Sequence, residues 1–179
     1  MKKIFITLAF ACTLPSLAMS QNLVKNGDFE TWNSKTKFPQ SWNGSERKGV
    51  FRKSHDAQSG KNALQIKFTP PKKNSNIPFR MEEYMKLAVG EYEGTFYFKG
   101  EGEVRFIALT RKGTNPGSKP LPGNIIGKPT INKVNNKEWT AYKVAFYIPE
   151  ADEYALCLCF NSGSAETPFL LDNISLIEK

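Results

Sequence analysis

The chain has 179 residues, of which 25 are basic and 17 acidic, giving a formal net charge of +8 at pH 7. Hydrophobic residues make up 40% and charged residues 23%, which is typical of a folded domain and excludes a disordered chain. No apolar run reaches the ~20 residues of a transmembrane helix, so we expect no membrane insertion.

The N-terminal segment has the features of a secretory signal peptide. Lys2 and Lys3 precede an apolar run over residues 4–14, and Ala18 and Ser20 supply the small side chains of a cleavage site. We therefore expect residues 1–20 to be removed on export. Residues 21–179 have the size of one domain, which we expect to be secreted, periplasmic or on the cell surface.

The three cysteines bear on processing and on redox chemistry. Cys12 offers an alternative, a lipoprotein acylated at that residue, but residues 9–11 depart from the usual lipoprotein pattern and favour an ordinary signal peptide. Cys157 and Cys159 lie two apart in a predicted strand, so both point to one face with Cα atoms near the ~7 Å limit for a disulfide. We predict two buried free thiols that pack as small apolar residues.

Apolar and polar residues alternate with a period of two between clusters of glycine, proline and asparagine. Around position 97, Phe96 and Phe98 alternate with Tyr97, so the tyrosine is predicted to point away from the core. The same pattern predicts strands over residues 63–69, 95–99, 104–110, 140–148, 154–160 and 169–177. Several short strands separated by turns predict an all-β fold, either a sandwich or a barrel.

Two segments break the alternation. Pro70–Arg80 is predicted to be a loop, because its prolines would remove hydrogen-bond donors from a central strand. Arg111–Lys137 is rich in glycine, proline and basic residues and contains no acidic residue. We predict a second loop there, and loops of this length are usually functional or mobile.

The acidic residues near the two ends of the domain suggest a cation site. Asp172 alternates in the same register as the apolar residues Leu170, Ile174 and Leu176. Near the other end, Asp28 and Glu30 lie on either side of Phe29, an aromatic residue expected in the core. A buried carboxylate needs an ion pair, several hydrogen-bond donors or a metal ion. A hard cation with oxygen ligands would satisfy these groups together, and exposure at the rim or pairing with Lys or Arg are the alternatives.

Five segments in this order resemble the carbohydrate-binding module families 4, 9 and 22, which are galactose-binding-domain-like β-jelly-rolls. The matching segments are residues 22–30, Trp42, residues 58–64, Trp139 with residues 144–146, and residues 171–176. The resemblance extends over nearly all of residues 21–179. Its end motifs are fairly specific for the fold and much less so for the ligand.

The resemblance implies a structural calcium ion shared by the two ends of the domain. Glu30 and Asp172 would supply side-chain oxygens, and Asp28 and Lys61 would supply backbone carbonyls. Gln58 stands where the family often has a further acidic ligand, and its amide offers an oxygen without a charge.

The resemblance also implies a glycan groove lined by aromatic rings, since the C–H groups of a sugar face pack on an electron-rich ring. Tyr97 is the first candidate because it alternates outward. Phe79 and Arg80 come next because they end the proline-rich segment where the family tends to carry a groove aromatic, and Tyr84 completes the predicted ligand set. Other candidate rings are Trp32, Phe51 and Tyr142.

No catalytic apparatus is recognisable in the sequence. His55, the only histidine, lies in a polar turn without a nucleophile motif beside it. The acidic neighbours at 82–83 and 152–153 point apart because they are adjacent, so neither pair forms the facing carboxylates of a glycosidase. A carboxylate pair formed across strands stays open.

The sequence therefore predicts a secreted, non-catalytic glycan-binding protein built on a calcium-stabilised β-sandwich. Two alternatives stay open: a structural or adhesive cell-envelope protein that binds a protein partner, and a hydrolase or lyase on the same scaffold. The basic loop at 111–137, with Lys72, Lys73 and Arg80, favours an anionic glycan, and a merely solvated basic surface is the alternative. We expect no nucleic-acid partner.

Overall fold

A computed structural model describes residues 21–44, 50–68, 77–111, 125–126, 133–163 and 167–179. These residues form β-strands and no helix, which confirms the all-β prediction. The strands are β1 (Trp42–Gly44), β2 (Phe51–Ser54), β3 (Ala63–Ile66), β4 (Ile77–Met81), β5 (Met85–Leu87), β6 (Gly90–Arg111), β7 (Ile125–Ile126), β8 (Val134–Ile148), β9 (Asp152–Gly163) and β10 (Phe169–Glu178). No helix in these ranges is long and apolar enough to span a membrane. The predicted signal peptide lies outside the described residues.

The strands form two antiparallel sheets that share the long strand β6. The first sheet has the order β2, β3, β10, first half of β6, β8. The second has the order β1, β4, β9, second half of β6, with β7 beyond β6 and β5 extending the pairing along β9. The β-sandwich jelly-roll predicted from the sequence is therefore present.

Alternation of side chains decides which face of each sheet is buried. In β6, Phe96 and Phe98 are fully buried, whereas Tyr97 is only partly buried and faces outward. The neighbouring strand β8 repeats the pattern, with Val144 and Phe146 in the core. The prediction that Tyr97 points away from the core is thus confirmed.

Gly100 marks the point where β6 passes from the first sheet to the second. The sequence predicted two separate strands here, over residues 95–99 and 104–110, but one strand of 22 residues runs through both. Gly100 has φ +94°, and a Cβ built at this position would lie 1.7 Å from the carbonyl oxygen of Pro168. Only glycine fits such a backbone, so this residue allows the strand to bend without ending.

The core contains a cluster of aromatic rings centred on Phe79. The Phe79 ring stacks on Trp42 with ring centroids 4.6 Å apart, and lies 5.0 Å from Phe51 and 6.0 Å from Phe29. Phe79 is fully buried. Burial of each such side chain contributes about 1.5–3 kcal/mol, so the cluster stabilises the contact between the two sheets.

The prediction of a loop over Pro70–Arg80 is wrong at its C-terminal end. Residues 69–76 lie outside the described residues, but Ile77–Met81 is strand β4, paired with both β1 and β9. Pro78 lies in this strand opposite Cys159 of β9, and the described pairing with β1 begins at Phe79.

The predicted loop over Arg111–Lys137 also contains strand residues. Ile125–Ile126 pairs with β6, and β8 begins at Val134, which pairs with Gly102. Residues 112–124 and 127–132 lie outside the described residues.

A bulge in β10 changes the register that the sequence predicted for Asp172. Leu171 pairs with Phe98 and faces the core, so Asp172, which pairs with Tyr97, lies on the opposite, outer face. The pairing shifts between Asp172 and Ser175, with Asn173 at φ 46°. The bulge returns Ile174 to the core, so Ile174 and Leu176 do not share the face of Asp172, whereas Leu170, which precedes the bulge, does.

Candidate functional site

The predicted ligand-binding residues lie on different parts of the sandwich. Tyr97 faces outward from the first sheet, whereas Arg80 belongs to β4 in the second sheet and alternates with the buried residues Phe79 and Met81. The two outward faces are on opposite sides of the core, so Tyr97 and Arg80 cannot line one groove.

Arg80 has an unsatisfied polar atom on the outer face of the second sheet. It pairs with Asn43 on β1 and with Cys157 on β9. Its Nη1 atom is shielded from water and has no hydrogen-bond partner in the described part of the chain. A guanidinium group in this state calls for an acceptor, since an unmade bond to a buried donor costs about 1–3 kcal/mol.

Asn161 presents a second unsatisfied atom on the same face. The pairing of β6 with β9 shifts register between Glu103 and Val104 of β6. Asn161 of β9, which follows the core residue Phe160, lies at this irregularity. The Asn161 side chain is 3% exposed, and its Nδ2 donates to Glu103 Oε1 at 2.8 Å. Its Oδ1 has no partner among the described residues. Bulges often redirect side chains beside binding sites, and Asn161 fits this use.

The two cysteines lie between Arg80 and Asn161 along β9. Cys157 is opposite Arg80, and Cys159 is opposite Pro78. Neither forms a disulfide, and both are only half-buried, so the prediction of buried thiols is corrected. Their side chains alternate with Leu156, Leu158 and Phe160 and therefore face outward.

On the first sheet, Tyr97 lines an open cavity of about 600 Å³. The walls come from the N-terminal segment, the turn at Gln58, the bulge of β10 and the outer face of β6 and β8. The lining residues are Asn22, Val24, Asn26, Gly27, Asp28, Gln58, Thr95, Tyr97, Lys143, Asn173, Ile174 and Ser175.

The carboxylate of Glu30 is held by the turn between β2 and β3. Its Oε1 accepts the backbone N–H groups of Lys61 at 2.7 Å and Asn62 at 2.8 Å, and its Oε2 accepts the Asn62 side chain at 3.1 Å. The N–H of Lys61 is the main cause that lowers the pKa of Glu30 below its usual value.

The carboxylate of Asp172 lies at the other end of the same turn. It is fully buried, and Oδ2 accepts the N–H of Gln58 at 2.8 Å while Oδ1 accepts the N–H of Asn173 at 2.8 Å. Burial raises the pKa of Asp172 to about 6, and the nearby charge of Glu30 adds to the increase. In the described ranges Asp172 has no ion pair with Lys or Arg.

The other two predicted calcium ligands lie near this pair. The Asp28 carboxylate accepts the N–H of Glu30 at 3.4 Å, and the Lys61 carbonyl oxygen is 3.3 Å from His55 Nδ1. The described residues contain no cluster of three or more His, Cys, Asp or Glu side chains arranged for a metal. A cation here would therefore take its oxygens from two carboxylates and from backbone carbonyls. The buried, unpaired charge of Asp172 fits that arrangement.

No family model matches the chain, and no curated protein matches it. Solved structures do. TmCBM61, in complex with β-1,4-galactotriose, aligns with a TM-score of 0.57 at 20% identity, covering 89% of this chain and 100% of that one. The CBM22-1 xylan-binding domain from Paenibacillus barcinonensis Xyn10C aligns with a TM-score of 0.56 at 15% identity, covering 89% and 95%. A putative sugar-binding protein from Bacteroides thetaiotaomicron aligns with a TM-score of 0.52 at 19% identity, covering 89% and 100%.

The chain has the fold of carbohydrate-binding modules. The resemblance found in the sequence is therefore confirmed at the level of the fold. Identities of 20% or less carry no ligand across, so the site has to be argued from the residues of this chain.

Two of the predicted ligand residues, Phe79 and Tyr84, pack in or against the core. Phe79 is wrong as a sugar platform, because its ring is fully buried against Trp42. Tyr84 is partly buried and packs against the core, between β4 and β5. The sequence analysis missed Asn161 and Glu103. The available signal was a polar residue directly after the alternating segment 154–160, which is where a strand can bulge.

Proposed function

We propose that this protein binds glycans without modifying them, and that the outer face of the second sheet is the binding surface. The observation that carries the proposal is the pair of unsatisfied atoms, Arg80 Nη1 and Asn161 Oδ1. A sugar hydroxyl both accepts and donates hydrogen bonds, so an oligosaccharide that runs along β9 from Cys157, opposite Arg80, to Asn161 offers partners to the guanidinium and to the amide oxygen.

The likeness to structures described as sugar-binding supports this function. Of the three structures named above, one is a complex with galactotriose, one is a xylan-binding domain and one is a putative sugar-binding protein. The alignment with this chain covers at least 95% of the length of each structure, so the likeness extends over whole modules.

An acidic glycan is the proposed ligand class. Arg80 forms no ion pair with any described residue, and a guanidinium group suits a carboxylate because it donates in a planar fork. Removal of residues 1–20 takes Lys2 and Lys3 from the 25 basic residues and leaves 23 against 17 acidic ones, a net charge of +6 that adds a long-range attraction for polyanions. Uronic-acid polymers supply carboxylates and hydroxyls on one chain.

The proposed role is non-catalytic. Among the described residues, Glu103 accepts the Asn161 amide, so this carboxylate is already engaged in a hydrogen bond. Glycosidases use two carboxyl groups that flank the bond, about 5–9.5 Å apart. A reducing-end assay on the polymers used for binding tests this part directly, and release of sugar would make the protein an enzyme.

Two further features belong to the proposal. Residues 1–20 would direct export, so the protein would act outside the cytoplasm. A structural calcium ion would bind Glu30 and Asp172 through their carboxylates, with the carbonyl oxygens of Asp28 and Lys61 as further ligands, and would stabilise the folded state.

A second candidate is an adhesive protein that binds a protein partner. The K2 cleaved adhesin domain of Lys-gingipain aligns with a TM-score of 0.57 at 13% identity, covering 85% of this chain and 96% of that one. Val89 and Tyr147 are large apolar side chains that are 52% and 60% exposed. They are adjacent in sequence to Gly90 and Ile148, which pair with each other between β6 and β8. Loss of partner binding in Tyr147→Ala, with glycan binding intact, would favour this candidate.

The test is binding to polygalacturonate and to a neutral polymer at low and high salt. Arg80→Gln removes the guanidinium charge but keeps a shorter polar side chain, and Asn161→Ala removes the amide oxygen. We expect each to weaken polygalacturonate binding at least tenfold. Lys67→Ala, which removes an exposed positive charge directly after β3 of the first sheet, is the matched control and should bind as the wild type does. Unchanged binding in both site variants would remove the second sheet as the glycan surface.

A further inference from the structure

The groove around Tyr97 is separate from the Arg80 face and has a chemistry of its own. Tyr97 pairs with Ala141 on one side and with Asp172 on the other. Ala141 is small, and Thr95 and Ser175 form the adjoining pair on the same face. Short side chains thus lie directly beside Tyr97 on this face, and the longer Lys143, which pairs with Thr95, is near enough to interact with it electrostatically.

The walls of this groove are held in place by bonds that do not involve the groove interior. Asn22 Oδ1 accepts the N–H groups of Val24 and Leu176 at 3.0 Å each. Ile174 N donates to the Gly27 carbonyl at 2.9 Å, and a Cβ at Gly27 would lie 2.1 Å from the Ile174 oxygen. The N-terminal segment thus lies directly against β10 and cannot shift without losing these bonds.

The opposite wall is fixed in the same manner. Asn173 Nδ2 donates to the side-chain oxygen of Gln58, and to Ser59 Oγ at 2.7 Å. A groove built before its ligand arrives loses little conformational entropy on binding, which favours binding of small ligands.

Several polar groups in the groove are left for a ligand. The hydroxyl groups of Thr95, Tyr97 and Ser175 form no hydrogen bond with another described residue. These groups donate and accept, as sugar hydroxyls do, and the Tyr97 ring offers a surface for the C–H face of a sugar.

The charge of the groove is close to neutral. Its ionisable groups besides Tyr97 are Lys143 and Asp28. Lys143 already pairs with Glu93 at 2.8 Å, and that partner raises the pKa of Lys143. Among the described residues that line the groove, no unpaired positive charge faces a ligand, in contrast to Arg80 on the other sheet.

We propose that the Tyr97 groove is a second saccharide site, selective for a short neutral oligosaccharide, and that the protein bridges two glycans held on opposite faces of the sandwich. The bridging part rests on the proposed function, because it requires an acidic glycan at Arg80. The neutral site stands alone. A volume of about 600 Å³ lies within the usual range for sites that bind small molecules.

The experiment measures the two sites separately and then together. Titration calorimetry in solution measures binding of β-1,4-galactotriose, xylohexaose and cellohexaose, as three neutral probes. Tyr97→Ala should weaken binding of the preferred probe at least tenfold, and Tyr97→Phe, which keeps the ring, should weaken it less. Tyr147→Ala removes an exposed tyrosine from the same sheet and serves as the matched control.

The bridging test captures the protein on immobilised polygalacturonate and then adds the preferred neutral probe with a fluorescent label. The wild type should retain the label. Tyr97→Ala should be captured without retaining it, and Arg80→Gln should bind the label in solution but not be captured.

Three results would overturn the inference. These are no neutral probe bound by the wild type, neutral binding that Tyr97→Ala leaves intact, or neutral binding lost in Arg80→Gln. Failure of capture on polygalacturonate with Tyr97-dependent neutral binding intact would remove the proposed acidic site and the bridging, while the groove would stand as a saccharide site. Melting temperatures of each variant show that a loss of binding is not a loss of folding.

Discussion

Glu30 and Asp172, from the two ends of the domain, hold the same turn between them. Glu30 accepts the backbone N–H groups of Lys61 and Asn62, and Asp172 accepts that of Gln58. The turn is thereby fixed by two carboxylates whose charges repel each other. A divalent cation between them would offset the repulsion and join the first segment of the domain to its last strand.

Calcium should therefore stabilise the protein. At a calcium concentration about 100 times the dissociation constant, binding to the folded state adds about 2.7 kcal/mol to the free energy of unfolding. Thermal unfolding with calcium and with a chelator measures the difference. Glu30→Gln should abolish the calcium response, whereas Asp28→Asn should keep it because only the backbone carbonyl of Asp28 is a proposed ligand. Identical melting temperatures with calcium and chelator would exclude the site.

Stability without calcium should fall as the pH rises through the folded pKa of Asp172. The usual pKa of this carboxyl is 3.8, and in the folded protein it is about 6. The folded state thus favours the protonated form, and this stabilisation is complete below about pH 3.8 and is lost through about pH 6. The shift corresponds to about 3 kcal/mol. Urea unfolding in chelator across pH 4–7 measures it.

Asp172→Asn is the control for this pH dependence. The variant cannot titrate at residue 172, so the difference between its stability and that of the wild type isolates the contribution of Asp172. A difference that is constant from pH 4 to pH 7 would contradict the raised pKa.

Phe79 should behave as a core residue. Phe79→Ala removes a fully buried ring from the aromatic cluster and is expected to lower the free energy of unfolding by about 3–5 kcal/mol. Phe79→Leu should cost less, because it fills part of the space. Chemical denaturation measures both. Native stability in Phe79→Ala, combined with loss of glycan binding, would instead support the role predicted from the sequence.

The sequence was sufficient where the period-two alternation of a strand decided which side chains are buried. The alternation of Phe96, Tyr97 and Phe98 depends on local geometry alone, so it placed all three side chains correctly. It failed after Asp172, because a bulge at Asn173 adds one residue and moves Ile174 and Leu176 to the other face.

The candidate site was predictable only in part, for a related reason. The proline-rich composition before Phe79 indicated a loop, but Pro78 lies within β4, where it pairs with Cys159 of β9. Long-range pairing decides such cases. Likewise, Arg80 was predicted because it ends the proline-rich segment. That Arg80 and Asn161 lie on paired strands, β4 and β9, depends on which strands are neighbours in the sheet.

Gly100 and Gly90 provide a matched test of the bend in β6. At Gly100, a methyl group would overlap the Pro168 carbonyl in a backbone with φ +94°, so Gly100→Ala must move one strand relative to the other. At Gly90, at the start of the same strand, the nearest atom to a Cβ is Glu178 Oε1 at 3.9 Å. Gly90→Ala should change the free energy of unfolding by no more than about 0.5 kcal/mol. Gly100→Ala should lower it by more than about 2 kcal/mol, since left-handed strain alone costs about 1–2 kcal/mol and the overlap adds to it. Equal stability of the two variants in urea unfolding would show that β6 does not need glycine to pass from one sheet to the other.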